Sequence, residues 1–318
     1  MSTNANNKQS YLMLITSLFI VGTIGIFRRY IPLSSSLLAF FRGLTGSVSL
    51  FVFIKLRGRG HWEKIERRKF AGLILNGAFL GINWILLFEA FRYTTIAKAT
   101  LCYYMQPTIV LLLSPLLVKE RLTGRKLLCA LASLVGMVFV SGVFGGEGAP
   151  AEDVKGILFG FGAACFYAAV VILNKKITGI DAYQKTILQL FSAAAVLLPY
   201  LLVTGGFGGI DVNARLVVLL LIVGVIHTGV AYALYFGSMS GLRAQTISML
   251  SYIDPVVAMI VSAILLGEGM TGGGIIGAAL ILGSAVISEM EKKGELAILR
   301  LYRMKNVKNI AKRGKSRH

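Results

Sequence analysis

Charge is scarce in this 318-residue chain, and acid scarcer still: 14 Asp and Glu stand against 33 Lys and Arg, and together they make up 15% of the residues. Soluble globular domains are roughly 25% charged and about 45–50% apolar. A chain that is 56% apolar, with a mean hydropathy of +0.74, is therefore not an ordinary soluble fold. The three cysteines (Cys102, Cys129 and Cys165) lie inside apolar runs with neither a C-x-x-C pair nor a histidine neighbour, which excludes a disulfide framework and a thiolate metal site. The three histidines show no H-x-x-x-H spacing and have few acids to work with, so neither a metal nor a cofactor is expected. The G-x-x-x-x-G-K-[ST] phosphate loop is missing too, which argues against a nucleotide-driven pump.

What the chain does contain is apolar runs of membrane-crossing length. A helix needs about 20 mostly apolar residues to cross a hydrocarbon core of ~30 Å. Ten such runs occur, at 11–27, 33–54, 70–91, 96–117, 126–143, 156–173, 186–203, 214–237, 245–266 and 272–290. They are too long and continuous for the alternating strands of an outer-membrane barrel. The expected architecture is an all-α integral membrane protein of ten transmembrane helices. The first run is expected to stay as a span, because it ends in Arg28-Arg29 without a small-residue cleavage pattern.

The basic residues give the orientation. With both termini in the cytoplasm, 26 of the 33 Lys and Arg fall on that side, including the cluster from Lys55 to Lys69. This bias predicts a multi-pass protein of the cell membrane with both termini inside. The tail at 291–318 carries ten basic residues. It reads either as an interfacial helix on anionic lipid or as a solvated topogenic tail. Nucleic acid is not an expected partner, since no fold module presents these charges. A homodimer is compatible with the sequence.

The chain also repeats itself. Tyr104-Met105-Gln106-Pro107 and Tyr252-Ile253-Asp254-Pro255 lie 148 residues apart. At that offset Gly81 meets Gly229, Phe88 meets Phe236, Ser114 meets Ser262, Glu120 meets Glu268, and Thr123-Gly124 meets Thr271-Gly272. The expected organisation is a tail at 1–10, a five-helix half at 11–143, an external linker at 144–155, a second half at 156–290 and the basic tail at 291–318. Five is odd, so the second half enters the membrane inverted, as in many secondary transporters whose site lies between the halves.

These residues carry a family resemblance. Each half has an aromatic–x–x–Pro span followed by a Glu–x–x–Thr–Gly turn; Phe41-Arg42 and Leu188-Gln189-Leu190 add to the set. The chain resembles the drug/metabolite transporter superfamily and, within it, the EamA family. The resemblance implies a ten-helix carrier that exports small metabolites or amino-acid-like compounds, with the fourth and ninth spans lining the path. The first half departs from the pattern at Lys119, where the second has Gly267.

A charged side chain at the bilayer centre costs roughly 2.5–3.5 kcal/mol on insertion scales. Asp254 and Arg42 each lie about ten residues into a span, so each needs a partner or a wet cavity. Asp254, with Ser251 and a carbonyl freed by Pro255, reads as a site for a cation, a proton or a substrate amine, or else as a neutral kink-stabilising group. Its repeat mate Gln106 is polar but uncharged. Arg42 reads as counter-ion to Asp254 or Glu89, or as a fork for a substrate carboxylate. Glu89 and Arg92 read as a mouth-side helix pair. Asn83, Trp84, Tyr104, His227, Tyr232 and Tyr252 are candidates for an aromatic-lined pathway with a few orienting polar groups; interhelical packing is the plainer role for such side chains. Pro107 and Pro255 are expected helix kinks.

Two functions are consistent with this pattern. One is a secondary carrier working by alternating access between inverted repeats. The other is a polytopic membrane enzyme acting on a lipid or isoprenoid, but the paired catalytic groups such an enzyme needs are not visible. The expected partners are therefore the lipid bilayer, a small-molecule substrate and protons.

Overall fold

A computed structural model of the chain describes residues 2–56, 64–94, 96–141, 151–208, 212–266 and 272–288. The basic tail, residues 144–150 of the expected linker and the turn holding Glu268 lie outside these residues. Among the described residues every regular element is helical. The first half holds α1 (Ser2–Gly22), α2 (Ile24–Arg29), α3 (Ser35–Leu56), α4 (Arg67–Tyr93), α5 (Ile96–Tyr103), α6 (Gln106–Leu117) and α7 (Gly124–Ser141). The second holds α8 (Ala151–Lys176), α9 (Ala182–Val203), α10 (Ala214–Gly224), a π-helical segment (Val225–Val230), α11 (Ala231–Ser238), α12 (Ala244–Ser251), α13 (Ile253–Leu266) and α14 (Gly272–Ser288).

Eight helical stretches are long and apolar enough to cross a membrane. The two remaining predicted runs correspond to α14 and to α7, whose 18 residues carry Arg125 and Lys126 in the first turn. Large apolar side chains face outward along the bundle, with Leu116 78% and Val203 88% exposed. That is the surface a hydrocarbon solvent selects. Helix α1 is already helical across the expected N-terminal tail, and α8 begins within the expected linker.

The spans at 96–117 and 245–266 are broken rather than kinked. Helix α5 stops at Tyr103 and α6 starts at Gln106; α12 stops at Ser251 and α13 starts at Ile253. Pro107 is the second residue of α6 and Pro255 the third of α13. Both therefore sit in a first turn, where the missing N–H has no helical acceptor to lose and the ring meets no preceding turn. The span at 214–237 contains the π-helical segment, which no proline announces. There the Thr228 hydroxyl donates to the Val223 carbonyl, five residues back, at 3.0 Å.

Close approach of helices depends on small residues. Helix α4 packs on α8 and α9, α3 on α9, and α1 on α11 and α13. A Cβ added at Gly77 would meet the Gln189 backbone and come 2.6 Å from Ser192 Cβ, and one at Gly81 would come 2.8 Å from the Ala193 carbonyl. Gly22 and Gly46 are tight contacts as well, whereas Gly25 has nothing within 4 Å. After α6 the chain turns through Lys119 at φ +57°, the one non-glycine residue with positive φ among those described. The repeat position occupied by glycine in the second half thus demands a glycine-like backbone in the first.

Candidate functional site

The two helix breaks face one cavity. It has about 540 Å³ of empty space, the open solvent at its mouth included, and is lined from α1, α5, α6, α8, α11, α12 and α13. Five tyrosines form its wall: Tyr103, Tyr104, Tyr167, Tyr232 and Tyr235. Asp254, Gln106, Ser17 and Ser251 supply the remaining polar groups. Tyr103 stands edge-on to Tyr104 at 5.8 Å and to Tyr167 at 5.9 Å between ring centroids. Edge-on pairs of this kind are a favoured aromatic arrangement.

The breaks explain how this chemistry reaches the cavity. Ending α12 at Ser251 and restarting at Ile253 puts Asp254 in the first turn of α13, where the helix dipole favours a carboxylate. The Tyr104 hydroxyl donates to Asp254 Oδ2 at 3.0 Å. Its repeat mate Tyr252 reaches the opposite way, with its hydroxyl 2.8 Å from Thr108 Oγ1 in the first half. The two repeated tyrosines thus tie each half to the other.

Asp254, Tyr104, Gln106 and Tyr232 are brought together on the lining, while the other candidates stand behind it. Tyr252 is fully buried in its bond to Thr108. The Asn83 amide donates to the Ala163 carbonyl at 2.6 Å and belongs to the α4–α8 contact. Trp84 packs edge-on against Tyr232 at 6.4 Å. His227 Nε2 lies 3.0 Å from Thr23 Oγ1, and its ring packs on Phe27.

Arg42 departs furthest from expectation. Its Nε donates to Thr228 Oγ1 at 3.0 Å, and its guanidinium lies over the Trp84 ring, 5.8 Å from the centroid. It forms no ion pair with Asp254 or Glu89 among the described residues, where the salt bridge is Arg92–Glu89 at 3.0 Å. The π-helical segment is the reason. It turns the Thr228 hydroxyl toward α3, and Gly46 and Gly229 let that backbone come close. Glu89 also accepts from the Tyr200 hydroxyl, so the mouth-side pair has a third member.

A second polar cluster ties the halves at one end of the bundle. The Glu120 carboxylate, in the turn after α6, accepts the backbone N–H of Ala244 at 2.8 Å and of Gln245 at 3.1 Å, capping α12 of the other half. Lys126 Nζ donates to Gln245 Oε1 at 2.8 Å, and Gln245 Nε2 donates to Ser114 Oγ at 2.6 Å. Nearby, Lys175 Nζ donates to the carbonyls of Met239, at 2.9 Å, and Leu242. The repeat singles out Glu120 and Ser114, but not their shared target. Of the two cavity serines, Ser251 stands beside Asp254 in the sequence reading, but Ser17 carries no sequence signal: it is one hydroxyl in an apolar helix, bonded to the Ala231 carbonyl at 2.8 Å.

Comparison with known proteins matches the chain twice to the EamA-like transporter family, over residues 8–142 and 154–290. It is 28% identical over 285 residues to the uncharacterized transporter YxxF of Bacillus subtilis (strain 168), covering 89% of this chain and 90% of that one. It is 27% identical over 222 residues to Protein PecM of Dickeya dadantii (strain 3937), covering 67% and 71%. A crystal structure at 20% identity shares the fold, with a TM-score of 0.75 over 88% of this chain and 98% of the other.

Proposed function

The chain belongs to the EamA-like transporter family, and from that premise we propose that it is a secondary carrier exporting small metabolites through the tyrosine-walled cavity, with Asp254 as its proton-coupling group. A membrane transporter it is by family, and its relatives are transporters rather than enzymes. That leaves the lipid-enzyme alternative without support. The observation that carries the reading is an acid deep in a span, facing a cavity to which both halves contribute.

Alternating access between two inverted five-helix repeats is supported by the reciprocal reach of Tyr104 and Tyr252 and by the family's double match. Matching breaks in the two repeated spans give each half a hinge at the same position. In this reading the ten spans keep both termini in the cytoplasm of a cell-membrane protein, and the basic tail rests on anionic lipid. The Glu120 cluster then closes the cytoplasmic end.

Transport in proteoliposomes, with a library of small metabolites and with or without an imposed proton gradient, tests this. Asp254→Asn is expected to abolish gradient-driven accumulation while sparing substrate exchange, because exchange needs no net proton movement. An unchanged proton dependence in that variant would make Asp254 structural.

A further inference from the structure

We propose that the group this cavity grips is a protonated amine, and that its ligand is an amine without a carboxylate of its own. The inference rests on the cavity being the carrier's binding site and names what that site takes. Asp254 contributes the one carboxylate among the lining side chains, and no lysine, arginine or histidine lines it. Tyr104 occupies one carboxylate oxygen, Oδ2, at 3.0 Å. Among the described residues the other oxygen accepts no hydrogen bond, leaving it for a donor on a ligand.

The wall suits a cation. Ring faces are the negative side of an aromatic quadrupole, and they attract an ammonium more strongly as water is removed. Gln106, 4% exposed, adds an amide whose Oε1 accepts no hydrogen bond among the described residues. A buried acceptor left in that state is uncommon in native proteins, and an N–H from the ligand is the donor it lacks once the amide turns inward.

The exclusion of a carboxylate follows from Arg42. A zwitterionic amino acid needs a cation for its acid group, and Arg42 is the one arginine placed within a span near the cavity. Its Nε donates to Thr228 and its guanidinium lies over Trp84, and Arg42 is not among the residues that line the cavity. The amino-acid-like class implied by the family resemblance is thereby narrowed to its amine half.

Trp84 makes the test direct, because it touches Tyr232 and the chain has two tryptophans. In a Trp62→Phe background, fluorescence titration of the purified full-length protein with 2-phenylethylammonium is expected to show saturable binding. Phenylalanine should bind at least tenfold more weakly, and phenylacetate should not bind. Asp254→Asn should weaken the amine at least tenfold, and Asp254→Glu should retain it. Phenylalanine or phenylacetate binding as tightly as the amine overturns the proposal, as does amine affinity unmoved in Asp254→Asn. Should Asp254→Asn fail to fold, loss of amine binding in Asp254→Glu overturns it instead. The outcome is separable from the carrier reading. Asp254-dependent amine binding without transport of any compound refutes the carrier alone, whereas transport of carboxylates with no amine recognition refutes this inference alone.

Discussion

Removing the Glu120 carboxylate should unfasten the first turn of α12 while leaving the bundle intact. Its two oxygens accept the N–H groups of Ala244 at 2.8 Å and Gln245 at 3.1 Å, two of the amides a helix N-terminus leaves without internal partners. Helix caps contribute about 0.5–2 kcal/mol, and hydrogen bonds to a charged group about 1.5–3 kcal/mol each before any exposure discount. Glu120 is half-buried, so a combined value of about 2 kcal/mol is reasonable. Glu120→Ala should therefore raise the open population of this turn by roughly thirtyfold; Glu120→Gln, which keeps one acceptor, should raise it by about fivefold.

Hydrogen exchange read by mass spectrometry on the protein in nanodiscs measures this as faster exchange of the Ala244 and Gln245 amides. Lys126→Met is the control, since it removes the bond to Gln245 Oε1 but neither amide contact. Exchange unchanged within twofold in Glu120→Ala, or accelerated equally in Lys126→Met, refutes the assignment of the cap to the carboxylate. If this end is the cytoplasmic gate, the alanine variant also shifts the carrier toward opening there, because it severs a tie between halves.

Two further outcomes follow from the backbone. Lys119→Gly should raise stability by about 1 kcal/mol, seen as a higher Tm in detergent, because a side chain in the left-handed region costs roughly 1–2 kcal/mol and glycine's extra unfolded-state freedom offsets part of the gain. Gly77→Ala should lower stability by about 1–3 kcal/mol by forcing α4 from α9, whereas Gly25→Ala, with open space around it, should leave Tm within a degree or two.

The spans were readable because hydrocarbon solvent leaves one simple mark on a sequence, an uninterrupted apolar run of the right length. The proline pairs also pointed to the two disrupted spans, but only a proline's exclusion from helix interiors is a local rule. Whether the chain bends through it or stops and restarts depends on what the freed groups meet. Here Met105 N–H turns back to Cys102 and Ile109 N–H reaches Met105, so α6 begins afresh. The π-helical segment left no such trace: Thr228 and Gly229 are ordinary residues until Val223 and Gly46 are seen beside them.

Asp254 and Arg42 look alike from the sequence, each an ionisable group the same depth into a span. The structure separates them, because Arg42's partner Thr228 is 186 residues away and no periodicity encodes that contact. Asn83 and Trp84 illustrate the same limit. They are neighbours on α4, yet one donates to α8 and the other packs on α11, and the 100° between successive helical residues is enough to separate them.

The repeat is most informative where it fails. Tyr104 and Tyr252 are mates, but the first donates to a carboxylate and the second pairs with a hydroxyl. A hydrogen bond to a charged group contributes about 1.5–3 kcal/mol against about 1 kcal/mol for a neutral pair. The tie made by the first half is therefore the stronger whenever Asp254 is ionised, and the two become comparable when it is protonated or when a bound cation draws the carboxylate away. A perfectly symmetric pair of halves would have no such dependence: both ties would weaken together and neither end would be favoured. With Asp254 as the partner in one tie and Thr108 in the other, the balance between the two ties depends on the charge state of a single side chain in the cavity. For a carrier that must couple its movement to what it has bound, that dependence is the physical requirement.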